Sequence, residues 1–368
     1  MDASFAMLVL SMFLSTQMGV CHRSGVRSRD YISWRDLRIE RYFGEMDLNN
    51  EGPERVIVVA KDGSGDSRTV QGAVDLVPDG NRVRVKISIS PGIYRSVSEA
   101  GLVREDEWKE KVVVPLTKPY ISFIGNPKSR TVISWNSRAS DRDSDGKVVG
   151  TLDSATVAIE SDYFCARGIT FENTAPDALP GADGMQAVAL RVSGDKATFI
   201  RCRIYGSQDT LFDHTGRHYF YKCYIQGSID FIFGSGRSLY EDCILHAIAS
   251  SYGAVAASQR SSVAENSGFS FVNCKLTGSG MLFLGRAWGR YATIVYAYCD
   301  LDGIIVPEGW NDWGDSSRRR TANFGEFKCR GRGADSSRRV PWAKSLTYEE
   351  AKPFLDKSFI DGNQWLKL

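Results

Sequence analysis

One unit of sequence is written twice between Cys202 and Gly234, and this repeat constrains the fold more than any other feature of the chain. Each copy has an aromatic-rich segment that ends in Cys, then one residue, Ile, and a glycine turn that leads to an acidic residue. Asp209 follows Cys202 by seven residues, and Asp230 follows Cys223 by seven residues. Equivalent residues are therefore 21 positions apart. A step of this length is typical of one coil of a parallel β-solenoid, in which each coil buries apolar side chains against the next.

Stacking of the coils would bring the two aspartates together. Adjacent strands lie ~4.8 Å apart, so equivalent residues on successive coils become neighbours. Gln186 precedes Gln208 by 22 residues, which is again about one coil. The repeat therefore predicts one surface patch made of Gln186, Gln208, Asp209 and Asp230. Two carboxylates this close do not both ionise easily, so one should keep its proton near neutral pH, as an acid/base pair requires.

Short strand-like units recur along most of the chain, about every 20 to 30 residues, with glycine turns between them. This pattern predicts an all-β solenoid rather than an alternating α/β fold. Near the start, a strand, a glycine turn and a helical pattern over Val70 to Val77 resemble a nucleotide-binding motif. Arg68 stands where the third glycine of GxGxxG is required, so we interpret the segment as a short helix that caps the solenoid. Thr347 and Glu350 form a capping-box pattern that opens a second short helix.

The ends of the chain and its charge define the expected domains and location. The apolar run from Phe5 to Leu14 is too short to span a bilayer and predicts a signal peptide over residues 1–21. Residues 22–54 are expected to form an N-terminal extension that packs on the body or is partly loose, and 55–368 a single β-helix domain. We therefore expect a secreted, extracellular protein without a membrane segment. With 46 basic and 44 acidic residues, the net charge of +2 gives no indication of a nucleic-acid partner.

Cysteines occupy equivalent positions in several repeats, and two interpretations of them are open. Cys202 and Cys223 would lie one coil apart, within reach of a disulfide, and secretion favours the pairing. Alternatively the cysteines form a stack of reduced, buried thiols, since Cys243, Cys274 and Cys299 share the same strand context. The sequence does not decide between the two, and we take the Cys202–Cys223 bridge as the prediction to be tested.

Other catalytic signatures are missing or incomplete. No serine has glycine at both the −2 and +2 positions, so the nucleophile elbow of a serine hydrolase is absent. His214 and His218 have the spacing of metal ligands, but Gly216 between them indicates a turn and no CxxC is near. We therefore expect neither a metal nor a cofactor. Either aspartate alone could serve a turn, but the pair beside apolar residues and glutamines favours acid/base chemistry on a neutral carbonyl.

Five segments in order carry a specific resemblance. PGIYR, QAVALR, GSQDTLF, DFIFG and LGRAWG, which lie at 91–95, 186–191, 206–212, 230–234 and 284–289, are similar to the signature segments of the plant pectin methylesterases. The resemblance runs from about Arg55 to the C-terminus. It implies a right-handed parallel β-helix and hydrolysis of the C6 methyl esters of homogalacturonan to methanol and pectate, without metal, in the cell wall. The short N-terminal part resembles family members that lack an inhibitory domain.

The resemblance also implies roles for single residues. Asp230 of DFIFG corresponds to the nucleophile, and Asp209 of QDTL to the general acid that then acts as base. Gln186 and Gln208 correspond to the donors of the oxyanion hole. Arg286 of LGRAW would bind substrate and lower the pKa of Asp230, and Trp288 offers a flat face for a sugar ring. We expect a monomer whose partner is pectin, with a proteinaceous inhibitor as a further partner implied by the family.

Two departures and two competing functions accompany this resemblance. Ala287 replaces the proline that the family often has in LGRPW, and Ser96 to Lys109 looks like an insertion into a family strand. The competing functions are a pectin glycosidase or lyase on a similar solenoid and an inactive pectin-binding solenoid. The paired glutamines favour an ester carbonyl over a glycosidic bond.

Overall fold

The computed structural model describes residues 31–39, 55–95, 111–177 and 182–368. The predicted signal peptide, the Ser96 to Lys109 insertion and most of the N-terminal extension lie outside these described residues. Within them the chain forms almost only parallel strands, arranged in successive coils. No helix of this part of the chain is long and apolar enough to cross a bilayer.

The first large sheet, sheet A, has 11 strands in chain order. They are Arg55–Val59, Val85–Ile89, Ile121–Gly125, Cys165–Arg167, Ala197–Ile200, Arg217–Tyr221, Arg237–Glu241, Gly268–Val272, Thr293–Ala297, Asn323–Phe327 and Lys344–Ser345.

The other strands form two faces, sheet B and sheet C. Sheet B contains Val112–Val114, Val157–Ile159, Leu190–Val192, Leu211–Asp213, Ile232–Gly234 and Trp310–Asn311. Sheet C contains Gly92–Tyr94, Thr131–Trp135, Ile169–Asn173, Arg203–Tyr205, Tyr224–Gly227 and Asp300–Leu301. Two long strands, Ile244–Ser258 and Lys275–Arg286, pass from sheet C into sheet B and join both into 14 strands.

The register of these sheets is the one that the repeat predicts. Leu190 pairs with Leu211, which pairs with Ile232 on the next coil. Each coil therefore advances by 21 residues in this region. The predicted fold, a right-handed parallel β-helix with short capping helices, is confirmed.

Short helices close the ends of the coils. Helix Val70–Asp75 begins at Thr69, whose hydroxyl accepts a hydrogen bond from the Gly72 N–H at 3.0 Å. Helix Tyr348–Ala351 begins at the predicted capping box of Thr347 and Glu350. Both predicted helices are therefore present. The remaining helical segments of the described residues are Gly150–Asp153 and Gly362–Trp365, with 3-10 turns at Trp34–Leu37, Ser316–Arg320, Arg332–Ala334, Ser336–Arg338, Lys352–Phe354 and Lys357–Ile360.

An aromatic ladder fills the interior behind sheet A. Phe199, Phe220, Tyr240, Phe271 and Tyr296 occupy equivalent positions on five coils, and each is fully buried. Successive ring centroids lie 4.8, 4.7, 4.7 and 4.5 Å apart in stacked geometry. Because the ring spacing matches the strand spacing, each ring covers the face of the next, and this burial stabilises the stack of coils.

A cysteine ladder runs beside the aromatic one, and here the predicted disulfide is wrong. Cys202 and Cys223 lie on adjacent coils as predicted, but both are free thiols, like the five other cysteines among the described residues. The Cys223 Sγ points to the Phe199 carbonyl oxygen at 3.3 Å. Burial also raises the pKa of the Cys202 thiol well above its ordinary value, which disfavours the thiolate that oxidation requires. The alternative stack of reduced thiols is therefore the observed one.

Part of the N-terminal extension packs on the outside of sheet A. Strand Ile32–Ser33 pairs in parallel with Leu366–Lys367, and Ile32 is fully buried beside the buried Trp365. The Lys86 ammonium, itself buried in sheet A, donates to the Arg38 carbonyl at 2.9 Å. The extension therefore joins the two ends of the chain over the sheet.

The packing of Ile32 against the C-terminal segment Leu366–Lys367 predicts a stability effect. Ile32→Ala should destabilise the fold by about 2–5 kcal/mol, because it removes buried methyl groups and leaves a cavity. The measurement is the midpoint of urea unfolding. Val263→Ala, at a position that is 70% exposed, is the control and should change stability by no more than about 0.5 kcal/mol. Equal urea midpoints for the two variants would contradict a stabilising contact between Ile32 and the C-terminal segment.

Candidate active site

The two aspartates of the repeat occupy the same turn on adjacent coils. Each comes two residues before a strand of sheet B, and both have left-handed backbone conformations, with φ of 60° at Asp209 and 46° at Asp230. Asp tolerates this conformation better than most residues. The Asp209 N–H donates to the Ile229 carbonyl oxygen at 3.0 Å. The predicted neighbourhood of Asp209 and Asp230 is therefore present, although the nearby cysteines are not bridged.

A cavity of about 370 Å³ opens above this turn. Its walls bring together all the residues that the sequence selected for catalysis or substrate binding. They are Gln186, Gln208, Asp209, Asp230, Arg286 and Trp288. Thr151, Phe212, Ile229, Phe233, Ala257 and Trp313 complete the lining.

Asp230 has two oxygens in different environments. Its Oδ2 forms an ion pair with the Arg286 guanidinium at 3.1 Å, and the carboxylate is only 8% exposed. Its Oδ1 is buried and has no hydrogen-bond partner among the described residues. The Arg286 guanidinium also lies 3.9 Å from the centre of the Trp313 ring, which holds it in place through a cation–π contact. One oxygen is thus fixed and the other is free to react.

The environment separates the pKa values of the two aspartates. Burial raises the pKa of Asp209 well above its ordinary value, the Asp230 charge raises it further, and Arg286 opposes both. Burial also raises the pKa of Asp230, to about 6, and Arg286 lowers it. The predicted order is present, with Asp209 the weaker acid. As expected, Arg286 lowers the pKa of Asp230, but burial raises it by more, so the pKa stays above the ordinary value.

Aromatic rings form one continuous wall of the cavity. Phe212 and Phe233 stack at 4.4 Å, Phe233 contacts Trp288 at 6.1 Å, and Trp288 stacks on Trp313 at 6.3 Å. Because an aromatic face packs well against the C–H face of a sugar, this wall suits a carbohydrate chain.

Sequence reasoning missed three of these four rings. Phe212 and Phe233 each follow their aspartate by three residues, so the repeat contained the signal that they would stack beside the pair. Trp313 lies in the turn after Trp310–Asn311, where its N–H donates to the Asn311 Oδ1 at 2.9 Å. No repeat marks that position, so only the folded chain reveals its contact with Arg286.

A larger cavity of about 770 Å³ lies beyond the C-terminal ends of the same sheet B strands. It contains none of the residues selected from the sequence. Its charged walls are paired internally, since Arg217 binds Asp195 and Asp361, and Arg237 binds Asp361 at 2.9 Å. The smaller cavity, with its unpaired carboxylate oxygen, is the better candidate for chemistry.

The fold and the site together define a β-helical protein with a buried acid pair, two amides and a guanidinium in one cleft. Comparison with known proteins agrees. The family model described as Pectinesterase matches residues 56–363. The chain is 54% identical over 360 residues to pectinesterase QRT1 of Arabidopsis thaliana, covering 92% of this chain and 91% of that protein. Pectinesterase 31 of the same plant is 41% identical, covering 85% and 96%.

A solved structure extends the likeness to three dimensions. The pectin methylesterase from carrot matches with a TM-score of 0.74 and 35% identity, covering 87% of this chain and 97% of that one. The chain therefore belongs to the pectinesterase family of carboxylic ester hydrolases.

The raised pKa of Asp209 predicts a stability effect with a defined sign. A folded-state pKa above the unfolded value of 3.8 means that Asp209 binds its proton more tightly in the folded protein, so its contribution to wild-type stability falls as pH rises above 3.8. Asp209→Asn removes this dependence. At pH 7 the melting temperature of the variant should exceed that of the wild type by about 2–4 °C for each kcal/mol of unfolding free energy gained. Near pH 4 the two melting temperatures should be equal. The control is Asp62→Asn at an exposed position, whose melting temperature at pH 7 should not rise. An Asp209→Asn variant that melts at a lower temperature than the wild type at pH 7 would refute the raised pKa of Asp209.

Proposed function

We propose that this protein hydrolyses the C6 methyl esters of homogalacturonan, with Asp230 as nucleophile and Asp209 as general acid and base. One observation carries the proposal. Asp230 Oδ2 is fixed by Arg286 at 3.1 Å while Oδ1 is buried without a partner among the described residues. An oxygen left unsatisfied in this way is costly to keep, and it is common at sites where a ligand or a reacting atom completes the contact.

The first half-reaction uses the difference in pKa between the aspartates. Asp230 Oδ1 attacks the ester carbonyl carbon while Asp209, protonated at neutral pH, gives its proton to the departing methoxy oxygen. The C–O bond to the methoxy group breaks, methanol leaves, and an acyl-enzyme anhydride on Asp230 remains. The side-chain amides of Gln186 and Gln208 line the same cavity and donate to the oxyanion that develops on the carbonyl oxygen.

The second half-reaction returns Asp209 and Asp230 to their initial protonation states. A water molecule attacks the acyl carbon, and the Asp209 carboxylate accepts its proton. The bond between the acyl carbon and Asp230 breaks, and the uronic acid product releases its remaining proton to solvent and leaves as a free carboxylate. Arg286 then again pairs with the regenerated Asp230 carboxylate, so the site returns to one ionised and one protonated aspartate.

Substrate binding follows from the aromatic wall. Trp288 and Trp313 line the cleft, where aromatic rings suit the C–H faces of uronate rings, and Arg286 contacts both the Trp313 ring and Asp230. Carrot pectin methylesterase, which shares the fold, supports pectin as the substrate class. We further propose action outside the cell on the plant cell wall, as a monomer, with residues 55–368 as the catalytic unit and a proteinaceous inhibitor as a further partner.

Replacement of the nucleophile tests the proposal. Asp230→Asn keeps the side-chain volume but cannot form the anhydride, so methanol release from methylated pectin should fall by at least about a thousandfold. Circular dichroism should show an unchanged β-rich fold. A folded Asp230→Asn enzyme with near-normal turnover would exclude the nucleophile role. Release of unsaturated or reducing-end products by the wild type, in place of methanol, would point to a lyase or glycosidase.

The pH dependence of the reaction follows from the pKa of Asp230. Because this carboxyl must be ionised to attack, kcat/KM for methanol release should fall about tenfold per pH unit below pH 6. Arg286→Gln removes the cation that lowers this pKa, so the acid limb of its residual activity should move to higher pH. An acid limb near 3.8, the ordinary value for Asp, in the wild type would contradict the burial of Asp230.

A further inference from the structure

The turn that follows Arg286 carries two residues of the candidate active site on a short piece of backbone. Arg286 ends the strand Lys275–Arg286, and the Trp288 N–H donates to the Arg286 carbonyl at 3.0 Å. These two residues close a tight turn around Ala287. Because alanine restricts φ less than proline does, contacts from other parts of the chain decide how firmly Arg286 and Trp288 are held.

The Arg318 side chain makes such contacts with the turn. Its Nη1 donates to the Ala287 carbonyl at 2.6 Å and to the Trp288 carbonyl at 2.7 Å. The Asp315 carboxylate accepts from Arg318 Nε at 3.1 Å, so the guanidinium is itself oriented. One nitrogen thus bridges two consecutive carbonyls of the turn, and hydrogen bonds from a charged donor are stronger than those between neutral groups.

Arg318 also connects the turn at Ala287 to the segment that carries Trp313. It lies in the 3-10 turn Ser316–Arg320, five residues after Trp313. The Arg286 guanidinium lies 3.9 Å from the centre of the Trp313 ring. The guanidinium is therefore held by its own backbone turn and by the Trp313 ring, and Arg318 links these two supports.

Ala287 provides a second link to the same segment. Its N–H donates to the Asn311 carbonyl at 2.9 Å, and its side chain is fully buried. Asn311 also pairs with Arg286 in sheet B. A proline at position 287 would have no N–H for this bond. The turn around Ala287 is therefore held by hydrogen bonds on both sides of that residue, from its own N–H and from the Arg318 guanidinium.

The Arg318 side chain does not reach the reacting groups. It does not line the cavity that contains Asp230, and it is 21% exposed. Any effect of Arg318 on the reaction therefore passes through Arg286 and Trp288, which lie on the turn that it binds.

We propose that Arg318 is a positioning residue, which holds the turn Arg286–Trp288 so that the guanidinium stays against Asp230 and the Trp288 ring stays in the aromatic wall. This inference rests on the proposed function and adds to it a residue that does not touch the substrate. Without the two hydrogen bonds from Arg318, the Arg286 guanidinium would pair less often with Asp230, and the carboxylate would be protonated more easily.

The test compares Arg318→Met with Arg318→Lys. Methionine keeps an unbranched stem without a strong donor, whereas a lysine ammonium can donate to both carbonyls. Arg318→Met should lower kcat/KM for methanol release from methylated pectin at pH 7 by about ten- to a hundredfold, as expected for a misplaced site residue. The acid limb of its pH profile should move to higher pH, because Arg286 lowers the pKa of Asp230. Arg318→Lys should recover most of the loss and return the acid limb toward that of the wild type.

The matched control is Arg320→Met. It removes one positive charge from the same 3-10 turn at an exposed position. Both kcat/KM and the acid limb of this variant should stay close to those of the wild type. The same loss in Arg320→Met as in Arg318→Met would assign the effect to net charge and would overturn the proposal.

A double variant tests the route through Arg286. In an Arg286→Gln enzyme, adding Arg318→Met should cause a much smaller further loss of kcat/KM than it causes in the wild type, because residues that act through one another are not additive. An equal loss in the two backgrounds would show that Arg318 does not act through Arg286.

The remaining outcomes are also decisive. A folded Arg318→Met enzyme with the wild-type kcat/KM and acid limb would overturn the proposal, as would a folded Arg318→Lys enzyme no more active than Arg318→Met. Loss of the native circular dichroism spectrum in Arg318→Met would assign Arg318 to the fold rather than to the site. Failure of the wild type to release methanol would instead overturn the proposed function, so the two failures are distinguishable.

Discussion

The in-register stacking of coils is the interaction on which the rest of this structure depends. Because the strands of successive coils pair in register, side chains at equivalent positions lie next to each other, whatever the length of the turns between the strands. The same rule produces the ladder of buried aromatic rings, the column of thiols and the pair of aspartates. A substitution that shifted the register by one residue would move apolar side chains outward and separate Asp209 from Asp230 at the same time. The fold and the site therefore both depend on the register of the stacked coils.

The site holds several groups in backbone conformations and buried environments that destabilise the folded protein. Asp209 and Asp230 have left-handed backbone conformations, their carboxyls line one cavity, and one buried oxygen of Asp230 lacks a partner among the described residues. The rigid stack of coils makes this possible, because neighbouring strands fix the turn on both sides. Arg286 offsets only part of the burial, which leaves the pKa of Asp230 at about 6 and that of Asp209 higher. In the proposed mechanism this separation suits Asp230 for attack and Asp209 for proton transfer.

The repeat in the sequence was sufficient to predict the β-helix, its register and the meeting of Gln186, Gln208, Asp209 and Asp230. It could not predict side-chain direction, and so the Cys202–Cys223 bridge is wrong: neighbouring backbones do not ensure that two sulfurs point at each other. The sequence predicts that Arg286 lowers the pKa of Asp230, but it does not predict that burial raises this pKa to about 6, because the depth of burial depends on residues from many coils. Trp313 comes from a segment that breaks the repeat, and only the folded chain reveals its contact with Arg286.

The central claim is that one carboxyl of the pair keeps its proton at neutral pH while the other is ionised. Infrared difference spectroscopy of the carboxyl stretch at pH 7 tests it directly. The wild type should show a protonated carboxyl band that disappears in Asp209→Asn and persists in Asp230→Asn. If the wild type shows no protonated carboxyl at pH 7, or if the band disappears in Asp230→Asn and not in Asp209→Asn, the assignment of the two aspartates is contradicted.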